Sequence, residues 1–157
     1  MLKISSKWSI FISMILCAGF LLACVVGLFL MPLLVEMLIK IPDNIGFRNE
    51  ITESGRVLVT VLAYLVLVGG IAADSFLIAL LVRVRNGKVF TAVSVSLIRA
   101  VSWCCFFVCL VFAVLGIYFQ LSFIVAFGVL ILGLFLRVMK NVLEEATEIK
   151  SENDLTV

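Results

Sequence analysis

The chain has 157 residues, 64% of them hydrophobic and 14% charged, with a mean hydropathy of +1.32 and a formal net charge of +2. Soluble domains are about 45–50% apolar and about 25% charged. So small a globule cannot bury this much apolar surface, so the solvent for most of the chain is lipid. The slight positive charge makes no electrostatic case for direct nucleic-acid binding. Histidine is absent, which removes the commonest general base and metal ligand. The five cysteines, Cys17, Cys24, Cys104, Cys105 and Cys109, all sit in apolar runs without a CxxC pair. They read as small hydrophobes rather than as disulfide partners or zinc ligands, and no cofactor is expected.

A membrane-crossing helix needs about 20 apolar residues, and four runs meet or approach that length. The pattern predicts an all-α integral membrane four-helix bundle in one domain, with helices over 8–38, 57–84, 92–119 and 121–149. The opening "MLKISSKWSIFISMILCAGFLLAC" has the basic start and terminal cysteine of a lipoprotein signal. The apolar run continues through "VVGLFLMPLLV", however, so it is read as an uncleaved first helix. Residues 40–56 form an external loop broken by Pro42, Gly46 and Gly55, with one helical turn expected near "RNEIT". The short uncharged "YFQLS" suits a tight hairpin between the third and fourth helices.

Lys3, Lys7, Arg83, Arg85, Lys88, Arg99, Arg137, Lys140 and Lys150 fall on one side of such a bundle. Lys40, Arg48 and Arg56 fall on the other, diluted by Glu36, Asp43, Glu50 and Glu53. The positive-inside rule then places both termini and the middle loop in the cytoplasm. Trp8 beside Lys7 serves as an interfacial anchor.

Asp74 lies inside "LVGGIAADSFLIAL", and an ionisable group within a span marks a functional site by default. Asp74 stands 13 residues before Gly87 and Arg99 stands 12 after it. With a helical rise of about 1.5 Å per residue, antiparallel helices bring the two to nearly one depth, so a structural Asp74–Arg99 ion pair is expected. Trp103, one turn further, is expected against the Arg99 guanidinium. Gly69, Gly70, Ala72 and Ala73 supply small residues for close helix packing.

Thr91 reads as the N-cap of the third helix, with Ser94 at its third position. After the fourth span, Val138, Val142, Ala146 and Ile149 recur at helical spacing, with Met139 and Leu143 beside them. This predicts an amphipathic helix projecting from the membrane. Its polar face, with Glu144, Glu145 and Glu148, is too acidic to lie on an anionic bilayer. An apolar stripe not covered by lipid calls for a protein partner: another copy in a homo-oligomer, the middle loop of this chain, or a soluble protein. A short tail follows over 150–157.

"GKVFTAVSVSLIRAVSW" and the terminal "IKSENDLTV" resemble the YoaS-like family of small bacterial four-span membrane proteins, a family of unknown function. Phe90, Thr91, Arg99, Glu152, Asn153, Asp154, Leu155, Thr156 and Val157 match its pattern, while Ala92 and Val93 replace an acidic pair and Ser94 replaces an Asn. The resemblance implies no enzymatic activity. It implies instead a partnership with a small Cro/CI-type helix-turn-helix regulator encoded nearby. Phe90, Thr91 and residues 152–157 would then form the partner-binding face, as peptide docking. The competing expectation is a small transport, channel or immunity-type membrane protein that uses Asp74. No nucleophile–base pair, metal cluster or phosphate loop supports an enzyme.

Overall fold

The computed structural model describes residues 6–40, 52–87 and 89–155. They form α1 (Ser6–Lys40), α2 (Glu53–Arg85), α3 (Ala92–Leu115) and α4 (Leu121–Leu155). All four helices are long and apolar enough to cross a membrane, and the protein is a multi-pass membrane four-helix bundle.

The element ends follow local chemistry. Thr52 caps α2, its hydroxyl accepting from the Gly55 amide at 3.3 Å, and Glu53 lies in the first turn beside the positive helix end. This starts α2 one turn before the expected Val57 and places Gly55 inside the helix rather than in the loop. The turn expected near "RNEIT" lies almost wholly outside the described residues. At the other end of α2, Asn86 and Gly87 close the helix, Gly87 at φ 72°, a left-handed conformation that glycine accepts without strain. Thr91 caps α3 as expected, accepting from the Ser94 amide at 3.3 Å. α3 stops at Leu115, earlier than residue 119, with Gly116 as its C-cap and Phe123 lying over that glycine, where a Cβ would come within 2.8 Å of its ring. α4, by contrast, runs past residue 149 to Leu155.

Neighbours in sequence pack together: α1 on α2, α2 on α3 and α3 on α4. Among the described residues the α1 and α4 backbones do not come within 8 Å of each other, so the bundle has an open seam between its first and last helices. Each of those edge helices buries one narrow stripe, Cys17, Cys24 and Val35 on α1 and Ala126 and Gly133 on α4. The rest of their apolar surface is left for lipid. The driest packing lies at the hairpin end, where Val35, Val59, Leu62, Val111 and Leu115 form one cluster under Tyr118 and Phe119.

Adjacent glycines let α2 serve two neighbours. A Cβ on Gly69 would meet Val108 of α3 at 2.7 Å, whereas one on Gly70 would face Cys24 of α1 at 3.9 Å. On the far side of α3, a Cβ on Gly133 would meet Cys105 at 3.2 Å. Gly128 has open space around it. Alanine at Gly128 therefore gains the helix preference of about 1 kcal/mol. At Gly69 overpacking of about 1–3 kcal/mol opposes that gain. Gly69→Ala is expected to lower resistance to unfolding in detergent relative to Gly128→Ala, and equal responses would disprove the close contact.

Candidate functional site

Asp74 is buried, with 6% of its surface exposed. It lines an open cavity of about 240 Å³ near the middle of the bundle, to which all four helices contribute: Phe20 from α1, Gly70 and Ala73 from α2, Val101 and Cys105 from α3, and Val129 from α4. The Cys17 thiol of α1, a weak donor, approaches the carboxylate. Asp74 Oδ2 is buried with no hydrogen-bond partner among the described residues. Ser75 beside it satisfies its hydroxyl on the Ile71 carbonyl at 2.7 Å.

The expected Asp74–Arg99 pair does not form. Arg99 instead bonds Glu144 of α4, Nη2 to Oε1 at 3.4 Å, and its side chain is 54% exposed. Two physical reasons separate it from Asp74. Residues 86–91 are not helical and add no regular rise, so depth is counted from Arg85 and Ala92 rather than from Gly87. Asp74 then lies about three turns inside α2 and Arg99 only about two turns inside α3, a mismatch of about 6 Å. Arg99 is also two positions from Val101, which faces the Asp74 cavity, and two helical steps of about 100° turn it to the opposite side of α3. Trp103 is likewise not the partner of Arg99. The Arg137 guanidinium lies 5.4 Å from the Trp103 ring centre and 5.9 Å from that of Phe106.

The α3–α4 face that holds Arg99 is therefore a second site, which counting outward from Gly87 missed. Arg99, Ser102, Trp103, Arg137, Lys140 and Asn141 line a cavity of about 280 Å³. Ser102 is buried and donates to the Gly133 carbonyl at 3.0 Å, tying the two helices just below it. Lys140 and Arg99 both bond Glu144 at its rim. Counting from the hairpin would have found it, since Arg99 precedes Tyr118 by as many positions as Arg137 follows it.

Beyond Arg137, Leu143, Glu144 and Thr147 are half-buried on the side of α4 that bears Gly133 and Lys140. The opposite face presents Val138, Val142 and Ile149, which are 60%, 55% and 55% exposed. Ala146 of the expected stripe is half-buried. Phe90 is 45% exposed in the turn before α3. Glu152 is exposed on the last turn of α4, Asn153, Asp154 and Leu155 continue its helical backbone, and Thr156 and Val157 lie outside the described residues. Among the described residues, no group of three Cys, Asp or Glu side chains is placed to hold a metal ion.

Double-mutant cycles test this geometry. Arg99→Gln with Glu144→Gln is expected to register coupling in unfolding stability, and Arg99→Gln with Asp74→Asn none. Coupling in the second cycle would restore the rejected pair. Ser102→Ala is expected to cost about 0.5–1 kcal/mol of stability in detergent, the usual worth of one interhelical hydrogen bond.

Comparison with known proteins adds a family and no activity. No curated protein and no solved structure matches the chain. A family model described as "Protein of unknown function (DUF2975)" matches residues 43–157, which takes in α2, α3, α4, the α3–α4 site and all of the Asp74 site except its α1 residues. The chain belongs to the DUF2975 family of proteins of unknown function.

Proposed function

We propose that this protein is a non-enzymatic docking partner that holds a small soluble regulator at the membrane. The supporting observation is α4, which leaves the apolar segment at Leu136 and continues as one helix to Leu155. Ile149 lies about 18 Å beyond Arg137 along the axis, clear of a headgroup layer of about 5–8 Å. Val138, Val142 and Ile149 on its outward face are exposed apolar groups, and those beyond the headgroups have no lipid to cover them. An unbroken helix through Leu155 favours docking by a helix face or terminus over strand addition.

The excess of basic residues at this end supports a cytoplasmic location for it by the positive-inside rule, and the YoaS-like resemblance supports a bacterial plasma membrane. The YoaS-like resemblance supplies the partner class, a small Cro/CI-type helix-turn-helix regulator. Phe90, Thr91 and the Glu152–Leu155 turn of α4 lie toward this same end of the chain's topology.

A second reading rests on Asp74, whose unpartnered Oδ2 in a mid-membrane cavity suits a small transport, channel or immunity-type protein. The two readings separate by co-purification and flux. Removing residues 151–157 is expected to keep the helical content and to abolish recovery of a small DNA-binding protein from native membranes. Recovery of none with the intact chain would overturn the docking reading. An ion flux in proteoliposomes that survives the deletion and is lost in Asp74→Asn would decide for the second.

A further inference from the structure

We propose that the cavity between α3 and α4 is a headgroup site for an anionic phospholipid, in which Arg137, Lys140 and Arg99 receive the lipid phosphate. Its depth argues first. Arg99 and Arg137 are equally far along the chain from Tyr118 in the hairpin, one on each side of it. Each stands 16 residues from the hairpin end of its helix, Leu115 or Leu121, about 24 Å along the axis, which with the apolar turn residues approaches the roughly 30 Å thickness of a hydrocarbon core. The cavity therefore opens where headgroups begin, at the end of the bundle that carries the α2–α3 turn.

The charge and the walls argue next. The cavity has three cations among its six lining residues, with Ser102 and Asn141 as further polar groups. Glu144 is the carboxylate that touches it, bonding Arg99 through Oε1 and Lys140 through Oε2. Three positive charges against one leave a net attraction for phosphate. Arg137 bonds no carboxylate among the described residues and rests against the Trp103 and Phe106 rings. Those rings orient its guanidinium without neutralising it, leaving its N–H fork for phosphate oxygens. Lys140 is 17% exposed in its side chain, so its charge is held in the cavity rather than released to water.

The outer wall selects lipid over a free anion. Trp103 is 60% exposed at the position where tryptophans anchor at the membrane–water boundary. Phe135, just over one α4 turn below Lys140, is 60% exposed on the lipid-facing surface. A volume of about 280 Å³ takes a phosphodiester and its glycerol, but no folded partner. Basic pockets between membrane helices hold anionic headgroups elsewhere by the same chemistry.

The test uses the full chain in a neutral detergent, titrated with short-chain phosphatidylglycerol, short-chain phosphatidylcholine or inorganic phosphate. The chain has two tryptophans, so Trp8→Phe leaves Trp103 as the only indole reporter in the cavity. Native mass spectra provide a second readout of retained lipid. Saturable binding of phosphatidylglycerol is expected, with phosphatidylcholine and inorganic phosphate each at least about tenfold weaker. Arg137→Gln with Lys140→Gln should weaken phosphatidylglycerol by roughly tenfold to thirtyfold, taking about 1 kcal/mol per basic residue. Arg85→Gln, at the same membrane end but outside the cavity, should change nothing. Glu144→Gln keeps every cation and removes the competing carboxylate, so it should tighten binding about threefold, a gain that misfolding cannot mimic. Equal binding of the two lipids, or indifference to both the cation and the Glu144 substitutions, would overturn the proposal. Inorganic phosphate binding as tightly as phosphatidylglycerol would overturn the assignment to lipid.

Discussion

In lipid, helices gain little by hiding apolar side chains from one another, because the acyl chains outside are equally apolar. Association then rests on how closely backbones approach and on the few interhelical hydrogen bonds. The arrangement of this protein depends on that constraint at mid-membrane. Gly69 admits Val108, Gly70 turns toward Cys24, and Gly133 admits Cys105 while its carbonyl accepts from Ser102. Two adjacent glycines on α2, a helical step of about 100° apart, aim at two different helices. A chain of close contacts therefore runs α1–α2–α3–α4, and among the described residues nothing comparable ties α4 back to α1. The open seam follows from where the small residues stand.

That layout also accounts for Asp74. The glycine pair draws both neighbouring helices against α2 one turn away from the aspartate, so burial of Asp74 is a consequence of packing that the glycines impose. Its surroundings are apolar walls and cysteine thiols rather than a cation. A carboxylate held this way is not a staple, because an uncompensated buried polar atom costs stability rather than adding it. A group retained at such a cost is a stronger functional candidate than an ion-paired one would be, which is why the transport reading keeps a place beside docking.

The charged residues divide into two levels with separate chemistry. Toward the end that carries the α2–α3 turn, Arg99, Arg137 and Lys140 converge from two helices on one small cavity. Further out, α4 alone carries Glu145 and Glu148 beside exposed Val142 and Ile149. A lipid phosphate at the first level would hold the base of α4 against α3 and fix the direction in which the free helix projects. On these two proposals, membrane anchoring and partner presentation would be stacked along one helix without sharing residues.

Composition and periodicity alone determined the class of object. Four apolar runs of spanning length, the Thr91 cap and the amphipathic continuation after Arg137 were all legible, because each depends on residues close in sequence. The Thr52 cap followed by Glu53 carries the same kind of local signal, although the charges and breakers around it read as loop. What the sequence left open were the partners across helices. Depth can be counted along a chain, but only if every counted residue rises like a helix, and residues 86–91 do not. Azimuth cannot be counted at all until the contact faces are known. Tertiary structure therefore moved Arg99 from Asp74 to Glu144 and gave Trp103 to Arg137. Each pairing was decided by which faces of α2, α3 and α4 the glycines bring together, a constraint between distant segments that no local pattern contains.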